Sequence, residues 1–293
     1  MSKVSVLGSG VVGRATGIGL KAIGHDVTFV DLDEDRLSEL REEGHTTQHV
    51  DEMSLYGIKA VFVSVPTPAA IDGIDTAYLD LACKTLGRLL QTRHRDDDVP
   101  LLVFRSTMPP GTTRQRVIPA LESGSGKRAG IDFLVCYNPE YLRAYNAVED
   151  FLQSRLLTIG TAEPADAAAV AMKRIFARFA DVTVAELSFE EAEYQKYVHN
   201  VFNAMKISFF NEMRSAALSL GLENVDRIFA LTARTAEAAW NPSYGTRDRG
   251  PFGGACLPKD IAAWTGFARK HGIGSDLADA ARAVNIGLGG SVC

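Results

Sequence analysis

Short apolar runs alternate with amphipathic stretches through the first 187 residues. Runs of strand length lie at residues 4–7, 27–30, 58–65, 101–104, 133–136, 156–159 and 182–184. Helical patterns separate them: one ends near Ile23, and others cover residues 75–90, 113–121 and 164–179. This alternation predicts an α/β fold, here an N-terminal Rossmann-type doubly wound parallel sheet with helices on both faces.

The pattern changes after Ser188. Residues 189–220 contain no Gly or Pro, which predicts one long central helix of roughly 48 Å at 1.5 Å per residue. Further helices are predicted at residues 225–238, 258–270 and 276–286, with a turn-rich loop at 240–255. We therefore predict an α/β domain over residues 1–187 and an all-helical domain over residues 188–293.

Composition narrows the class of protein. The net charge of −5 argues against nucleic-acid binding, which usually involves a basic stripe. No C-x-x-C pair occurs among the four cysteines, and the histidines lack metal-ligand spacing, so we expect no metal site. The N-terminus lacks a signal-peptide pattern and no apolar run is long enough to span a membrane. A cytoplasmic protein without membrane contact is therefore expected.

A glycine-rich motif predicts the cofactor. Gly8-Ser9-Gly10-Val11-Val12-Gly13 follows the first strand and opens the first helix. These glycines allow a tight turn, close approach of a pyrophosphate and packing of helix on strand. Asp31 ends the next strand, where it is expected to bind the adenosine ribose and to repel the 2′-phosphate of NADP. NAD is therefore favoured over NADP as the cofactor of the domain at residues 1–187. Arg36, which can lie near the adenine, leaves the preference for NAD over NADP open.

Loops after other strands face the same crevice at the carboxyl ends of the sheet. Thr107 and Glu140 supply a hydroxyl and a carboxylate that can position water or take part in proton transfer. The other cofactor contacts expected from the loops are Val65, Pro66, Thr67, Ser106 and, in the second domain, Lys259. The substrate contacts expected are Glu140, Tyr141, Leu142, Lys196, Asn200, Tyr244 and Gly253.

The segment 252–260 carries a candidate nucleophile. Two glycines precede Cys256, and Pro258 suits the first turn of a helix. The helix N-terminus and Lys259 would favour the thiolate, and Asp260 lies one helical turn away. The alternative is a buried structural cysteine in a loop.

The long helix carries a polar stripe. Lys196, Asn200 and Asn203 fall at i, i+4 and i+7, on one face. Lys196 and Asn200 could stabilise a developing oxyanion. The alternative is a solvated stripe, and for Asn203 the two interpretations are equally supported.

Taken together and in order, these motifs resemble those of the UDP-glucose/GDP-mannose dehydrogenase family. The motifs GSGVVG, SVPTP, STMPPGT, NPEYL, EAEYQKYxxN and FGGACLPKD carry the likeness, which covers Met1 to about Ala283. It implies a four-electron oxidation of a sugar primary alcohol to a carboxylate with two NAD per turnover. It also implies a homodimer formed through residues 189–220.

The resemblance assigns roles to individual residues. Cys256 matches the nucleophile that forms a thiohemiacetal and then a thioester, which water hydrolyses. Lys196 and Asn200 match the pair that stabilises the oxyanion, and Asp260 matches the acid beside the cysteine. Thr107 and Glu140 match the residues that hold the water and assist proton transfer.

The chain also departs from the family pattern. Family members usually continue into a second nucleotide-type domain, whereas this chain stops at Cys293. Ala144, Trp240 and Pro251 stand where an acid, an arginine and a glycine are usual. We therefore expect either a fragment or a naturally short enzyme, acting on a sugar, nucleoside or nucleotide-sugar substrate.

Two other functions remain open. A two-electron dehydrogenase of the 6-phosphogluconate or β-hydroxyacid type also joins a Rossmann domain to a helical one, but it needs no cysteine loop. A non-catalytic NAD-binding dimerisation module is the second alternative. The set of Cys256, Lys196, Asn200 and Asp260 argues against it, because a scaffold gains nothing from such side chains.

Overall fold

The chain folds into two compact units, residues 1–199 and residues 200–293. The computed structural model describes residues 1–70, 73–93, 99–164, 166–179, 182–246, 250–254 and 256–290. Two positions named above, Ala255 in the cysteine loop and the terminal Cys293, lie outside the described residues.

An eight-stranded sheet forms the centre of the first unit. Its strands are β1 (Lys3–Leu7), β2 (Asp26–Asp31), β3 (Thr46–His49), β4 (Ala60–Val63), β7 (Leu101–Phe104), β8 (Leu134–Tyr137), β9 (Leu156–Thr161) and β10 (Thr183–Ser188), and a separate two-stranded hairpin contains β5 (Ala69–Ala70) and β6 (Gly73–Ile74). The spatial order is β10-β9-β8-β7-β4-β1-β2-β3. The central strands are apolar along their whole length because both faces of the sheet are covered.

The prediction of a parallel sheet is confirmed with one correction. From β3 to β8 all neighbours are parallel, and so are β9 and β10, but β8 meets β9 antiparallel through the single pair Tyr137 and Gly160. Antiparallel neighbours do not need a long crossover. The connection between β8 and β9 accordingly contains only short helices, a 3-10 helix at Ala144–Asn146 and the six-residue α-helix α5 (Ala147–Leu152).

Helices cover both faces of this sheet, as predicted for a doubly wound fold. They are α1 (Val11–Ala22), α2 (Glu34–Glu42), α3 (Ala77–Gln91), α4 (Ile118–Ser125), α5 (Ala147–Leu152) and α6 (Ala167–Ile175). One core lies under α3 and α4, and the other lies under α1, α5 and α6. A π-helical segment, Thr113–Val117, precedes α4, so the helix predicted at 113–121 begins with a widened turn.

Helix α2 and strand β3 were not predicted from the sequence. Both are strongly polar, and α2 buries only Leu37 and Leu40. Helix α2 is started instead by Asp33, whose side chain accepts hydrogen bonds from the N–H groups of Asp35 and Arg36. Strand β3 lies at the sheet edge, where backbone pairing with β2 defines it without an apolar pattern.

The long helix is α7 (Phe189–Ser219), close to its predicted bounds. Its first turns belong to the first unit, because Phe189, Ala192, Glu193 and Lys196 are buried there. A Cβ at Gly160 would lie 2.7 Å from the Cβ of Ala192, so a glycine permits this close packing. The compact units therefore divide inside α7, twelve residues after the boundary predicted at 187/188, which stays a prediction.

The second unit contains the rest of α7 with α8 (Val225–Thr235), α9 (Glu237–Trp240), α10 (Leu257–Lys270) and α11 (Asp276–Gly287). The single helix predicted at 225–238 is wrong in one respect: extended backbone at Ala236 divides it into α8 and α9. The small hydrophobic core of the second unit contains Ala216, Ala268 and Ile273. None of the helices in the described part of the chain combines the length and the hydropathy that a membrane span requires.

Candidate active site

A cleft of about 260 Å³ lies at the carboxyl ends of the central strands of the first unit. Its lining combines the start of α1 with the loops after β4, β7 and β8: Gly10, Val11, Val12, Ser64, Val65, Pro66, Thr67, Arg105, Ser106, Thr107 and Glu140. Strands β1 and β4 lie side by side where the chain order of the sheet reverses. Such a crevice is the usual ligand site in an open α/β sheet.

The glycine loop leaves no room for larger residues. Gly8 has a φ of 92°, and a Cβ there would lie 2.8 Å from the carbonyl oxygen of Ser64. A Cβ at Gly13 would lie 1.8 Å from the carbonyl oxygen of Gly8. Gly10 is the N-cap of α1, and among the described residues no side chain caps this end. The first N–H groups of α1 are therefore available to a phosphate.

Gly13→Ala should abolish tight cofactor binding, because the added methyl group would overlap the Gly8 carbonyl and force the loop to move. We expect at least about a hundredfold rise in the Kd for NAD, since the pyrophosphate loses its aligned N–H donors. Titration calorimetry would measure it. Gly266→Ala is the matched control, because that helical glycine faces open space, and it should leave the Kd unchanged.

Asp31 ends β2, as predicted, and its carboxylate is held in place. It accepts hydrogen bonds from the N–H and hydroxyl of Ser9, both at 2.6 Å, and from the N–H groups of Leu32 and Asp33. Partial burial would raise the pKa of Asp31, but the hydrogen bonds from Ser9, Asp33 and Leu32 outweigh it and lower that pKa. The carboxylate is therefore ionised at neutral pH, as ribose binding requires.

Arg36 lies near the glycine loop. Its Nη1 is 3.9 Å from the position that a Cβ on Gly10 would occupy, and its Nε is 3.2 Å from Asp33. Arg36 therefore lies close to the glycine loop, and its position near the adenine stays a prediction.

Lys196 forms an ion pair with Glu140, which lines the cleft. Lys196 is 3% exposed, and its Nζ lies 2.9 Å from Oε1 of Glu140. The ammonium also donates to the carbonyl oxygen of Glu140, and it lies 5.5 Å from the centre of the Tyr141 ring. The sequence predicted both residues as catalytic but not their pairing, which joins the start of α7 to the cleft.

Tyr141 and Leu142 follow Glu140 and support it. The Tyr141 hydroxyl is hydrogen-bonded to Thr158 at 3.0 Å and to Gln195, and burial raises its pKa. The N–H of Leu142 donates to Glu140 at 2.7 Å. The contacts of Tyr141 and Leu142 with substrate stay a prediction.

Two loops of the cleft are tied to each other and to α7. Thr67 donates to the carbonyl of Thr107 at 2.8 Å, and Ser106 donates to the carbonyl of Val65 at 2.6 Å. Glu193, which is 0% exposed, accepts bonds from the N–H of Gly111 and from the N–H and hydroxyl of Thr113, at 2.5 to 2.7 Å. Burial raises the pKa of Glu193, although these bonds oppose the rise. Glu193 therefore fixes the loop that carries Thr107.

A buried arginine was also missed by sequence reasoning. Arg105 is only 4% exposed and lines the cleft. Its guanidinium donates a hydrogen bond to the amide oxygen of Asn138. Burial lowers its pKa to about 10, so it remains charged at neutral pH. The only sequence signal was an arginine placed directly between a buried strand and the STMPPGT loop.

The second unit holds the cysteine loop. Cys256 is exposed at the N-cap position of α10, and Pro258 lies in the first turn, as predicted. The N–H of Asp260 donates to the carbonyl of Cys256 at 2.8 Å, and Lys259 forms an ion pair with Asp260 at 2.9 Å. The alternative of a buried structural cysteine is wrong, because this thiol is exposed.

The remaining predicted residues are also surface residues of the second unit. Asn200, Tyr244 and Gly253 are exposed, and Asn200 lies on α7 one turn after Lys196. Their roles stay predictions.

Comparison with known proteins identifies the family. Residues 2–56 and 46–180 match the NAD binding domain of the UDP-glucose/GDP-mannose dehydrogenase family, and residues 190–286 match its central domain. The chain belongs to the UDP-glucose/GDP-mannose dehydrogenase family. The resemblance seen in the six motifs is thereby confirmed.

Similar proteins include a UDP-glucose 6-dehydrogenase of Haloferax volcanii, 32% identical over 97% of this chain and 70% of the relative. A GDP-mannose 6-dehydrogenase of Pseudomonas savastanoi pv. phaseolicola is 32% identical over 90% of this chain and 63% of the relative. The GDP-mannose dehydrogenase of Pseudomonas aeruginosa, solved as a ternary complex, is similar with a TM-score of 0.87 and 27% identity over 97% of this chain and 68% of that protein. The chain thus spans 63 to 70% of the length of these proteins.

NAD is the cofactor of the matched N-terminal domain. The residues present fit NAD. The backbone at Gly8 and Gly13 leaves no room for a Cβ, and the uncapped start of α1 offers its N–H groups. Asp31 is an ionised hydrogen-bond acceptor at the end of β2. The prediction of NAD is confirmed.

Proposed function

We propose that the chain oxidises a primary alcohol of a sugar or sugar nucleotide to a carboxylate in two successive hydride transfers, with Cys256 as the covalent nucleophile. The observation that carries the proposal is the exposed Cys256 thiol at the N-terminus of α10, in a chain whose other unit binds NAD. A two-electron dehydrogenase, which stops at the carbonyl, needs no cysteine loop of this kind.

The covalent steps belong to Cys256. The first oxidation gives an aldehyde, and the thiolate adds to its carbonyl carbon to form a thiohemiacetal. The second oxidation removes a hydride from the same carbon and leaves a thioester. Water then breaks the carbon–sulfur bond, which releases the carboxylate and returns the thiol. NAD, when bound, supplies the hydride acceptor for each oxidation.

The charged side chains have separate roles. Lys196 carries a buried positive charge that can stabilise a developing alkoxide, and Asn200 can donate a neutral hydrogen bond. Glu140 and Thr107 lie in the cofactor cleft, where they can orient water and accept its proton. Asp260 forms an ion pair with Lys259 in the first turn of α10, the turn that follows Cys256.

The substrate class is proposed from the relatives, which are named for UDP-glucose and GDP-mannose. Purified protein would be tested for NADH formation with UDP-glucose, GDP-mannose, UDP-N-acetylhexosamines, nucleosides and simple sugar alcohols. A carboxylate product from any of them supports the proposal and identifies the class. Release of a carbonyl product would instead favour the two-electron dehydrogenase.

We also propose a homodimer, in the cytoplasm, formed through α7. Large apolar side chains are exposed along this helix, among them Val201, Phe202, Met205, Ile207 and Phe209. Exposed apolar surface of this extent usually marks an interaction site.

Sedimentation equilibrium should therefore give twice the chain mass of 31.7 kDa at micromolar concentration. Phe202→Glu should shift the protein to monomers, because a charge cannot be buried unpaired at an apolar interface. Glu223→Gln, a substitution at an exposed charged residue just beyond α7, is the control. A stable monomer in the unmodified protein would reject the dimer.

A further inference from the structure

Arg105 is a buried cation with incomplete compensation. It is 4% exposed at the end of β7 and lines the cofactor cleft. One of its terminal nitrogens donates to Asn138, whose amide group in turn donates to the carbonyl of Thr158 at 2.7 Å. Its Nε is buried and has no acceptor among the described residues. Buried charges are normally paired, so this arrangement has an energetic cost that function can explain.

The guanidinium is held in one place. Asn138 is oriented by Thr158, and the ring of Phe151 lies 5.8 Å from the guanidinium carbon. A fixed charge beside a cleft exerts a fixed field on whatever occupies that cleft.

The local charge balance is positive. Arg105 and Glu140 are the charged residues that line the described cleft. Burial lowers the pKa of Arg105, and Glu140 is the acid that most opposes this lowering. The carboxylate of Glu140, however, already pairs with Lys196 at 2.9 Å. Two cations thus share one carboxylate at this end of the cleft.

Sheet topology indicates which half of the cofactor lies here. Asp31 at the end of β2 marks the adenosine ribose, and the start of α1 marks the pyrophosphate. In the sheet, β4, β7 and β8 lie on the side of β1 opposite to β2. The nicotinamide half of the dinucleotide is therefore expected over the carboxyl ends of β4, β7 and β8. Arg105 and Glu140 follow β7 and β8, so they belong to the nicotinamide half.

We propose that Arg105 sets the redox preference of the bound cofactor: its buried positive charge disfavours the cationic oxidised nicotinamide ring relative to the neutral reduced ring. Hydride transfer converts the charged ring to the neutral one, so the same charge favours oxidation of the substrate. The inference rests on NAD binding in this cleft and not on the identity of the substrate.

The test compares the Kd of the full chain for NAD with its Kd for NADH, without substrate. NADH fluorescence gives one constant and competition by NAD gives the other. A unit charge acting across roughly 10 Å at an effective dielectric constant of about 20 changes an equilibrium by about tenfold. Arg105→Met should therefore lower the ratio of Kd for NAD to Kd for NADH by about tenfold, whereas Arg105→Lys should keep the ratio near that of the unmodified protein.

Two further variants make the result decisive. If Arg105→Met does not fold, Arg105→Gln removes the charge and retains a donor for Asn138, and it should show the same shift. Arg41→Gln, at an exposed arginine of α2, controls for loss of charge elsewhere. Equal weakening of both Kd values, or an unchanged ratio in the neutral variants, would overturn the proposal, because Arg105 would then serve the pyrophosphate or the fold alone. Failure to find a substrate would leave this binding ratio unaffected.

Discussion

Cys256→Ser should stop formation of the carboxylate and lower its rate by about a thousandfold or more. The serine hydroxyl keeps the shape of the side chain but is far less nucleophilic at neutral pH, so the second oxidation lacks its covalent intermediate. Binding of NAD should be unchanged, because the cleft is lined by residues of the first unit. Carboxylate would be measured by mass spectrometry, and NAD affinity by calorimetry.

A second thiol provides the control. Cys83 lies buried on α3, and burial raises its pKa to about 12, so it is not a nucleophile at neutral pH. Cys83→Ala should therefore retain carboxylate formation. Full carboxylate formation by Cys256→Ser would argue against covalent catalysis.

Glu193→Ala should destabilise the first unit by about 3 kcal/mol, because two buried N–H groups and one hydroxyl lose their acceptor. The loop that carries Ser106 and Thr107 should also loosen, since Glu193 joins it to α7. We expect a lower midpoint in urea together with weaker NAD binding. The urea midpoint of Glu193→Gln should lie between those of the unmodified protein and Glu193→Ala, because the amide oxygen of glutamine can still accept a hydrogen bond.

Glu190→Gln is the matched control for this prediction. Glu190 lies one turn earlier on α7 and pairs with Arg114 at 2.6 Å, but both side chains are partly exposed. Exposed pairs contribute about 0 to 1 kcal/mol. Equal effects of Glu190→Gln and Glu193→Ala on the urea midpoint would contradict the anchoring role of Glu193.

Local patterns were enough to predict most of the fold. Buried strands such as β4 and β7 are continuous apolar runs, and α7 is a long segment without Gly or Pro. Polar elements such as β3 were missed, because backbone pairing at a sheet edge leaves no apolar signature. The break at Ala236 was missed because alanine favours helix and gives no signal of an end.

The site was predictable where its chemistry follows one short motif. The glycine loop, Asp31 and the position of Cys256 before α10 are of this kind. The supporting contacts join residues far apart in sequence: Thr113 with Glu193 over 80 residues, and Arg105 with Asn138 over 33. Such pairs depend on which strands become neighbours in the sheet, and a single sequence does not reveal that order.

The central claim is that one alcohol loses two hydrides through a thioester on Cys256. The most direct test counts NADH formed for each molecule of substrate consumed, with the product identified in the same reaction. Two NADH and a carboxylate are the predicted result. One NADH and a released carbonyl compound would contradict the claim and assign the chain a two-electron oxidation.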